Sequence, residues 1–191
     1  DQRLLGRKSQ KNVARATIYV AAPRRIYNFP LNDDPGWSTE GLWQFGPPLG
    51  QGSHNHDPTS GYTGVNVYGY NLAGDYENNL PPTYLTTTAI DCAELGATEL
   101  RFRRWLGLDT AWFDHASIEA SNDGVNWSTV WQHTSVAISE TSWSLQSYDL
   151  SAVADGQPTV YIRWAMGPTN VSITYPGWNI DDLEIWALAP L

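Results

Sequence analysis

The stretch Gly177-Trp178-Asn179-Ile180-Asp181-Asp182-Leu183-Glu184-Ile185 places two adjacent carboxylates inside an apolar, strand-like run. Side chains of an extended strand alternate between faces, so Asp181 is expected to share a face with Leu183 and Ile185, and Asp182 with Ile180 and Glu184. One carboxylate must then approach the core, where it needs a cation, an arginine or several donors to stay ionised. A calcium ion answers that need, because hard cations recruit carboxylates and carbonyls. A hydrated Asp at a strand end answers it too, and the stretch alone leaves both readings open. A second oxygen-rich segment, Asn71-Leu72-Ala73-Gly74-Asp75-Tyr76-Glu77-Asn78-Asn79, sets acids and amides at close intervals around a glycine. Its composition is compatible with calcium, but it lacks the spacing of an EF-hand loop.

Signals for catalysis are poor. There is no Gly-x-Ser-x-Gly elbow, no His-Glu-x-x-His motif and no phosphate loop. Both lysines, Lys8 and Lys11, lie near the N-terminus, which leaves none in the body for Schiff-base chemistry. His54-Asn55-His56-Asp57 offers transition-metal ligands, yet paired His residues in a Gly-rich loop are more often simply solvated. Among many carboxylates nothing singles out a pair for glycoside hydrolysis. For binding, Trp112 and Phe113 stand near the tip of a loop and can stack on a sugar ring, while Arg101 and Arg103 can hold an anionic glycan or pair with carboxylates of the body.

The elements that must position these residues read as strands. Trp and Tyr number ten each, Gly 16 and Pro 12, a composition of β-structure with many turns. Alternation marks strands at Ile26 to Phe29, Trp37 to Phe45, Val65 to Tyr68, Tyr84 to Ile90, Leu100 to Leu106, Ala116 to Ala120, Trp127 to His133, Trp143 to Leu150, Thr159 to Met166 and Trp178 to Ile185. Asn122-Asp123-Gly124 is a hairpin signal, because those residues tolerate positive φ. About ten strands in 191 residues fit one sandwich-sized domain whose two inner faces take up most of the Trp residues. The lone Cys92 excludes an internal disulfide framework and reads as a buried apolar residue.

Charge divides the chain. Residues 1–25 hold seven of the eleven basic residues and one of the twenty acids, a net +6, so the remainder of the −9 chain carries −15. The acidic body repels nucleic acid and suits divalent cations and basic partners. No run reaches the ~18 apolar residues of a membrane helix. The chain starts at Asp1 without an initiator Met or a secretory leader and is read as a processed form or a fragment. Within the arm, Ala14, Ala16, Ile18, Val20 and Ala22 alternate with other residues at the period of a half-buried strand. Such a strand must pair, either with its own sheet or with a neighbour's by strand addition.

The ordered motifs Asp33-Asp34-Pro35-Gly36-Trp37, Trp43-Gln44-Phe45-Gly46, Asp57-Pro58-Thr59-Ser60-Gly61, Asn66-Val67-Tyr68-Gly69-Tyr70-Asn71, Phe102-Arg103-Arg104-Trp105, Ser121-Asn122-Asp123-Gly124 and Trp178-Asn179-Ile180-Asp181-Asp182 resemble jelly-roll accessory domains of secreted bacterial proteins. Secreted metallocarboxypeptidases carry such domains, and the module is similar to MAM and galactose-binding-like folds. The resemblance implies an all-β antiparallel jelly-roll sandwich over residues 26–191, with residues 1–25 as an extended arm. It also implies a calcium ion held by Asp57 and by Asp181 or Asp182, for which Asp75, Asn66 and Asp34 are the expected co-ligands. MAM cysteines are missing, and the arm has no counterpart. The expected function is therefore a non-catalytic, extracellular, calcium-stabilised protein that self-assembles, its arm adding a strand to a neighbouring copy. The alternative is a glycan- or substrate-binding accessory module of a secreted hydrolase.

Overall fold

Two strands, long and central, organise the molecule because each turns a row of apolar residues into the core. The computed structural model describes residues 22–189. Within them the order is β1 (Arg24–Phe29), β2 (Ser38–Thr39), β3 (Trp43–Gly46), β4 (Val67–Tyr70), β5 (Thr83–Thr86), β6 (Gly96–Leu108), β7 (Ala116–Ser121), β8 (Ser128–Gln132), β9 (Ile138–Ser139), β10 (Ser144–Asp149), a single helical turn α1 (Ser151–Ala154), β11 (Tyr161–Met166) and β12 (Gly177–Leu188). One sheet runs β10-β6-β12-β4-β3, with β1 also on β12 and β9 on β6, and the other runs β2-β5-β11-β7-β8. All the pairings are antiparallel, and the two sheets enclose one core, as a jelly-roll sandwich requires. Phe102, Trp164 and Trp178 are fully buried, with the Phe102 and Trp164 rings edge-to-face at 5.5 Å.

Several boundaries differ from the alternation pattern. The expected strand from Trp37 to Phe45 is two strands in different sheets, β2 on β5 and β3 on β4, split by a turn in which Trp43 N–H donates to Glu40 O at 3.2 Å. Trp37 and Trp43 nevertheless both point into the core, so the apolar alternation runs on across the turn. β5 stops at Thr86, and Ile90 forms only an isolated bridge to Val160. β1 begins at Arg24, not Ile26, because Arg24 and Arg25 pair with Ala187 and Trp186 and Arg25 meets Glu184 at 2.7 Å. Of the arm residues, Ala14, Ala16, Ile18 and Val20 lie outside the described residues, and Ala22 is exposed. Only Trp37, Trp43, Trp164 and Trp178 of the ten Trp side chains are fully buried; Trp105, Trp127, Trp131, Trp143 and Trp186 are half-buried and cover other rings or arginines.

The largest correction concerns Asp181. Asp181 pairs with Arg103 and Glu184 with Arg101, so β12 carries one more residue than β6 between these pairs, and Asp182 absorbs it at φ +46. The extra residue resets the alternation. Trp178 and Ile180 before it, and Leu183 and Ile185 after it, all belong to the core cluster. Asn179 and Asp181 lie on the opposite face, buried beneath the 47–66 loop. Asp181 therefore does not share a face with Leu183 and Ile185.

A left-handed backbone tolerates Gly and Asp but strains β-branched residues. Asp182→Val should be less stable than Asp182→Gly by about 1–2 kcal/mol, since both lose the carboxylate and only Val resists the bulge. Equal urea midpoints for the two variants would overturn this account.

Candidate functional site

Pairing register builds a groove on the outer face of the second sheet. Tyr84, Ala165, Ser117 and Gln132 lie side by side across β5, β11, β7 and β8, so two small side chains form the floor between two larger ones. The next row along brings Arg163 opposite Glu119, with Arg163 Nε donating to Glu119 Oε2 at 2.6 Å. The Arg163 guanidinium lies 3.9 Å from the ring centres of both Tyr84 and Trp127, which fixes the Tyr84 wall. The groove has a volume of about 630 Å³, and Trp112, His115 and Pro168 close its loop end.

Trp112 is 89% exposed, the most exposed large apolar side chain among the described residues. Its loop is nevertheless held firmly. Asp114, fully buried, accepts from Tyr76 Oη at 2.5 Å and from Asn170 N–H at 2.8 Å, and His115 N–H donates to Pro168 O at 3.0 Å. Ala111 N–H donates to Ser135 O at 3.0 Å. Behind the groove His133 is buried with Nε2 2.9 Å from Asp109 O, and that burial pulls its pKa down. Phe113 is 51% exposed on the same loop but does not line the groove.

The expected metal ligands fall into three places. Asp181 Oδ2 accepts from Thr63 N–H at 3.0 Å, and a Cβ on Gly61 would collide with Thr63 O and Asn66 O and stand 2.8 Å from Asp181 Oδ2. Two carbonyls and a carboxylate thus converge around the bare Gly61 backbone, and Asn66 contributes its carbonyl while its Nδ2 donates to Asn32 O. Asp182 Oδ1 accepts from Thr63 Oγ1 at 2.6 Å. Asp57 forms a second cluster, accepting from Asn179 Nδ2 at 2.6 Å through Oδ1. Its Oδ2, with Asn55 Oδ1 and Asn179 Oδ1, is buried without a hydrogen-bond partner. Asp75 lies within electrostatic reach of Asp57 but is occupied by Ser53 N–H at 2.7 Å and Thr174 Oγ1 at 3.1 Å. Asp34 stands apart, accepting from Tyr68 Oη at 2.5 Å and Gly36 N–H at 2.8 Å.

These oxygens fit a hard cation by type. Buried acceptors without donors are uncommon in folded proteins, and calcium takes carboxylate, amide and carbonyl oxygen alike. Among the described residues no three acidic, His or Cys side chains converge, so carbonyls and amides must complete any such site. His54 stacks on Tyr175 at 4.0 Å and His56 Nδ1 lies 2.7 Å from Gly52 O, so neither ring turns toward Asp57 as a zinc pair would. On the outer face of β6, Arg101 pairs with Glu99 at 2.8 Å and covers Trp186, while Arg103 covers the Tyr62 ring at 4.0 Å. Sequence alone does not mark Tyr84, Ser117, Glu119, Gln132, Asn55 or Asn179 as site residues. They are ordinary polar or aromatic positions until register or loop closure brings them together.

No family model matches the chain. Bacillopeptidase F of Bacillus subtilis (strain 168) is 28% identical over 154 residues, a match that covers 78% of this chain and 10% of that protein's length. The fold is similar to the K1 cleaved adhesin domain of Lys-gingipain from Porphyromonas gingivalis W83, with TM-score 0.55 at 18% identity over 85% of this chain and 98% of that one. A more remote likeness, TM-score 0.45 at 12% identity over 80% and 89%, is to TmCBM61 in complex with β-1,4-galactotriose. The jelly-roll sandwich is thus shared with the K1 adhesin domain, and the comparisons do not confirm the MAM-like part of the resemblance.

Burial raises the Asp57 carboxyl to about 7, helped by the charge of Asp75 and opposed by the Asn179 hydrogen bond. Burial likewise raises Asp181 to about 6 against the Thr63 and Asp182 amides. An acid whose folded pKa exceeds the ordinary 3.8 holds its proton more tightly when folded, so stability is lost as pH rises from about 4 to about 7. In chelator the urea midpoint should fall over that window, and Asp57→Asn should remove much of the fall. A midpoint that rises from pH 4 to 7 would contradict the burial of these groups.

Proposed function

We propose that this chain is a non-catalytic glycan-binding module of a secreted bacterial protein, taking a carbohydrate ring against Trp112 in the groove of the second sheet. The observation that carries this reading is the exposed indole on a loop anchored by buried Asp114. The anchored backbone holds the loop tip in place, so little loop entropy is lost when the exposed ring stacks on the apolar face of a sugar. Ser117, Gln132 and Thr134 along the groove supply hydroxyl and amide partners for sugar hydroxyls. Glycoside hydrolysis needs two carboxyl groups across the scissile bond, whereas the acid lining this groove, Glu119, is held by Arg163. The 28% identity to a stretch of Bacillopeptidase F is consistent with a module joined to other domains. No helix among the described residues is long and apolar enough to cross a membrane. Self-assembly through the arm depends mainly on residues outside those described, and the groove gives the glycan reading the firmer support.

Calcium belongs to the same proposal. Asp181 with the Thr63 and Asn66 carbonyls, and Asp57 with Asn55 and Asn179, would hold hard cations that satisfy the buried oxygens and fasten the 47–66 loop to β12. The ions would neutralise carboxylates that burial otherwise keeps protonated.

Glycan-array screening followed by calorimetry tests the groove. Trp112→Ala should weaken binding at least tenfold with an unchanged melting temperature, and equal affinity of variant and wild type, or no glycan bound at all, would overturn the reading. Calcium at a hundredfold its Kd should add about 2.7 kcal/mol to stability over chelator, and an identical melt in both would remove the metal.

A further inference from the structure

Away from the groove, the outer face of the first sheet carries a guanidinium without an acid. Arg25, Arg101, Arg104 and Arg163 each pair with a carboxylate, at 2.7, 2.8, 2.6 and 2.6 Å. Among the described residues the Arg103 side chain forms no ion pair and no hydrogen bond, and it lies instead over the Tyr62 ring at 4.0 Å. In a molecule of net charge −9 an arginine left without a carboxylate is out of keeping with its surroundings. Stacking fixes the plane of the guanidinium and leaves its N–H edge open, the geometry that grips a carboxylate through two parallel hydrogen bonds.

Arg103 faces a pocket of about 240 Å³ shared with Arg101, Leu145, Asp182, Glu184 and Trp186. The two acids there are already engaged. Glu184 accepts from Arg25 at 2.7 Å and from Trp186 Nε1 at 2.6 Å, and Asp182 from Thr63 Oγ1 at 2.6 Å. Arg101 is held by both oxygens of Glu99, which leaves Arg103 as the cation in the pocket with no carboxylate on it. Leu145 is 54% exposed beside it and offers an apolar edge to a ring.

We propose that this pocket is a second carbohydrate site, in which Arg103 binds the carboxylate of an acidic sugar residue such as a uronic acid while Leu145 packs against the ring. The proposal rests on the glycan reading only in taking a saccharide as the ligand. The two sites lie on opposite sheets, so each can be occupied and tested without the other.

Calorimetric titration of the whole chain with a uronate oligosaccharide, its methyl ester and a neutral oligosaccharide separates the possibilities. Wild type should bind the uronate and lose at least tenfold on esterification. Arg103→Gln should abolish that difference without changing neutral binding, and Arg103→Lys, lacking the planar fork, should restore little of it. Trp112→Ala should weaken the neutral ligand and spare the uronate response, which keeps failure of the groove distinct from failure of this pocket. Equal affinity of wild type for acid and ester, or an undiminished preference for acid in Arg103→Gln, would overturn the assignment, and neither comparison depends on the groove.

Discussion

The fold turns on one inserted residue. β12 pairs with β6 along most of its length, and its other edge is divided between β4 near Asn179 and Ile180 and β1 from Leu183 onward. A strand of strict period two could not keep Trp178 and Ile180 in the core and then do the same for Leu183 and Ile185. The bulge at Asp182 makes both possible and leaves Asn179 and Asp181 together on the outside. Their burial is then the work of the 47–66 loop, whose Asp57 and Thr63 bond to them. Loop and strand have little apolar surface to share at that point. Polar contacts and, in the proposed form, a bound cation must supply the attraction.

The outer faces follow a different rule. Cations are few and aromatic rings many, and the outward-facing stacked arginines lie over rings: Arg101 on Trp186, Arg103 on Tyr62, and Arg163 between Tyr84 and Trp127. Stacking removes freedom from a long side chain while leaving its hydrogen-bonding edge available. Where that edge meets a glutamate the result is a structural pair. Arg163 with Glu119 hardens one side of the groove in this way, whereas Arg103 retains its capacity. The half-buried Trp side chains that a core count would assign to the interior instead stiffen two surfaces.

Rigidity also separates the loops that bear function from those that merely connect. The Trp112 loop is exposed at its tip and fixed at its base by a fully buried aspartate, so the backbone that carries the apolar ring cannot fold inward without breaking buried hydrogen bonds. The acidic character of the body serves these loops as well as solubility: Asp75 and Asp114 are spent on loop amides and hydroxyls, Asp34 on a turn.

Sequence alone determined the all-β class, nearly every strand, the Asn122-Asp123-Gly124 hairpin, buried Cys92, and the exposed Trp112 loop. Alternation, turn chemistry and composition are local, and they survive folding because each strand buries one face regardless of its neighbours. Sequence also marked the acidic pair in the last strand as a place where charge meets the core. Only the tertiary structure decided which face each Asp takes, because a bulge is defined against a partner strand and has no signature within its own residues. For the same reason the groove row of Tyr84, Ala165, Ser117 and Gln132 exists only through the register of four strands far apart in sequence. The difference between Arg101 and Arg103, two residues apart with the same side chain, came from what each meets in space: a ring and a glutamate for one, a ring alone for the other.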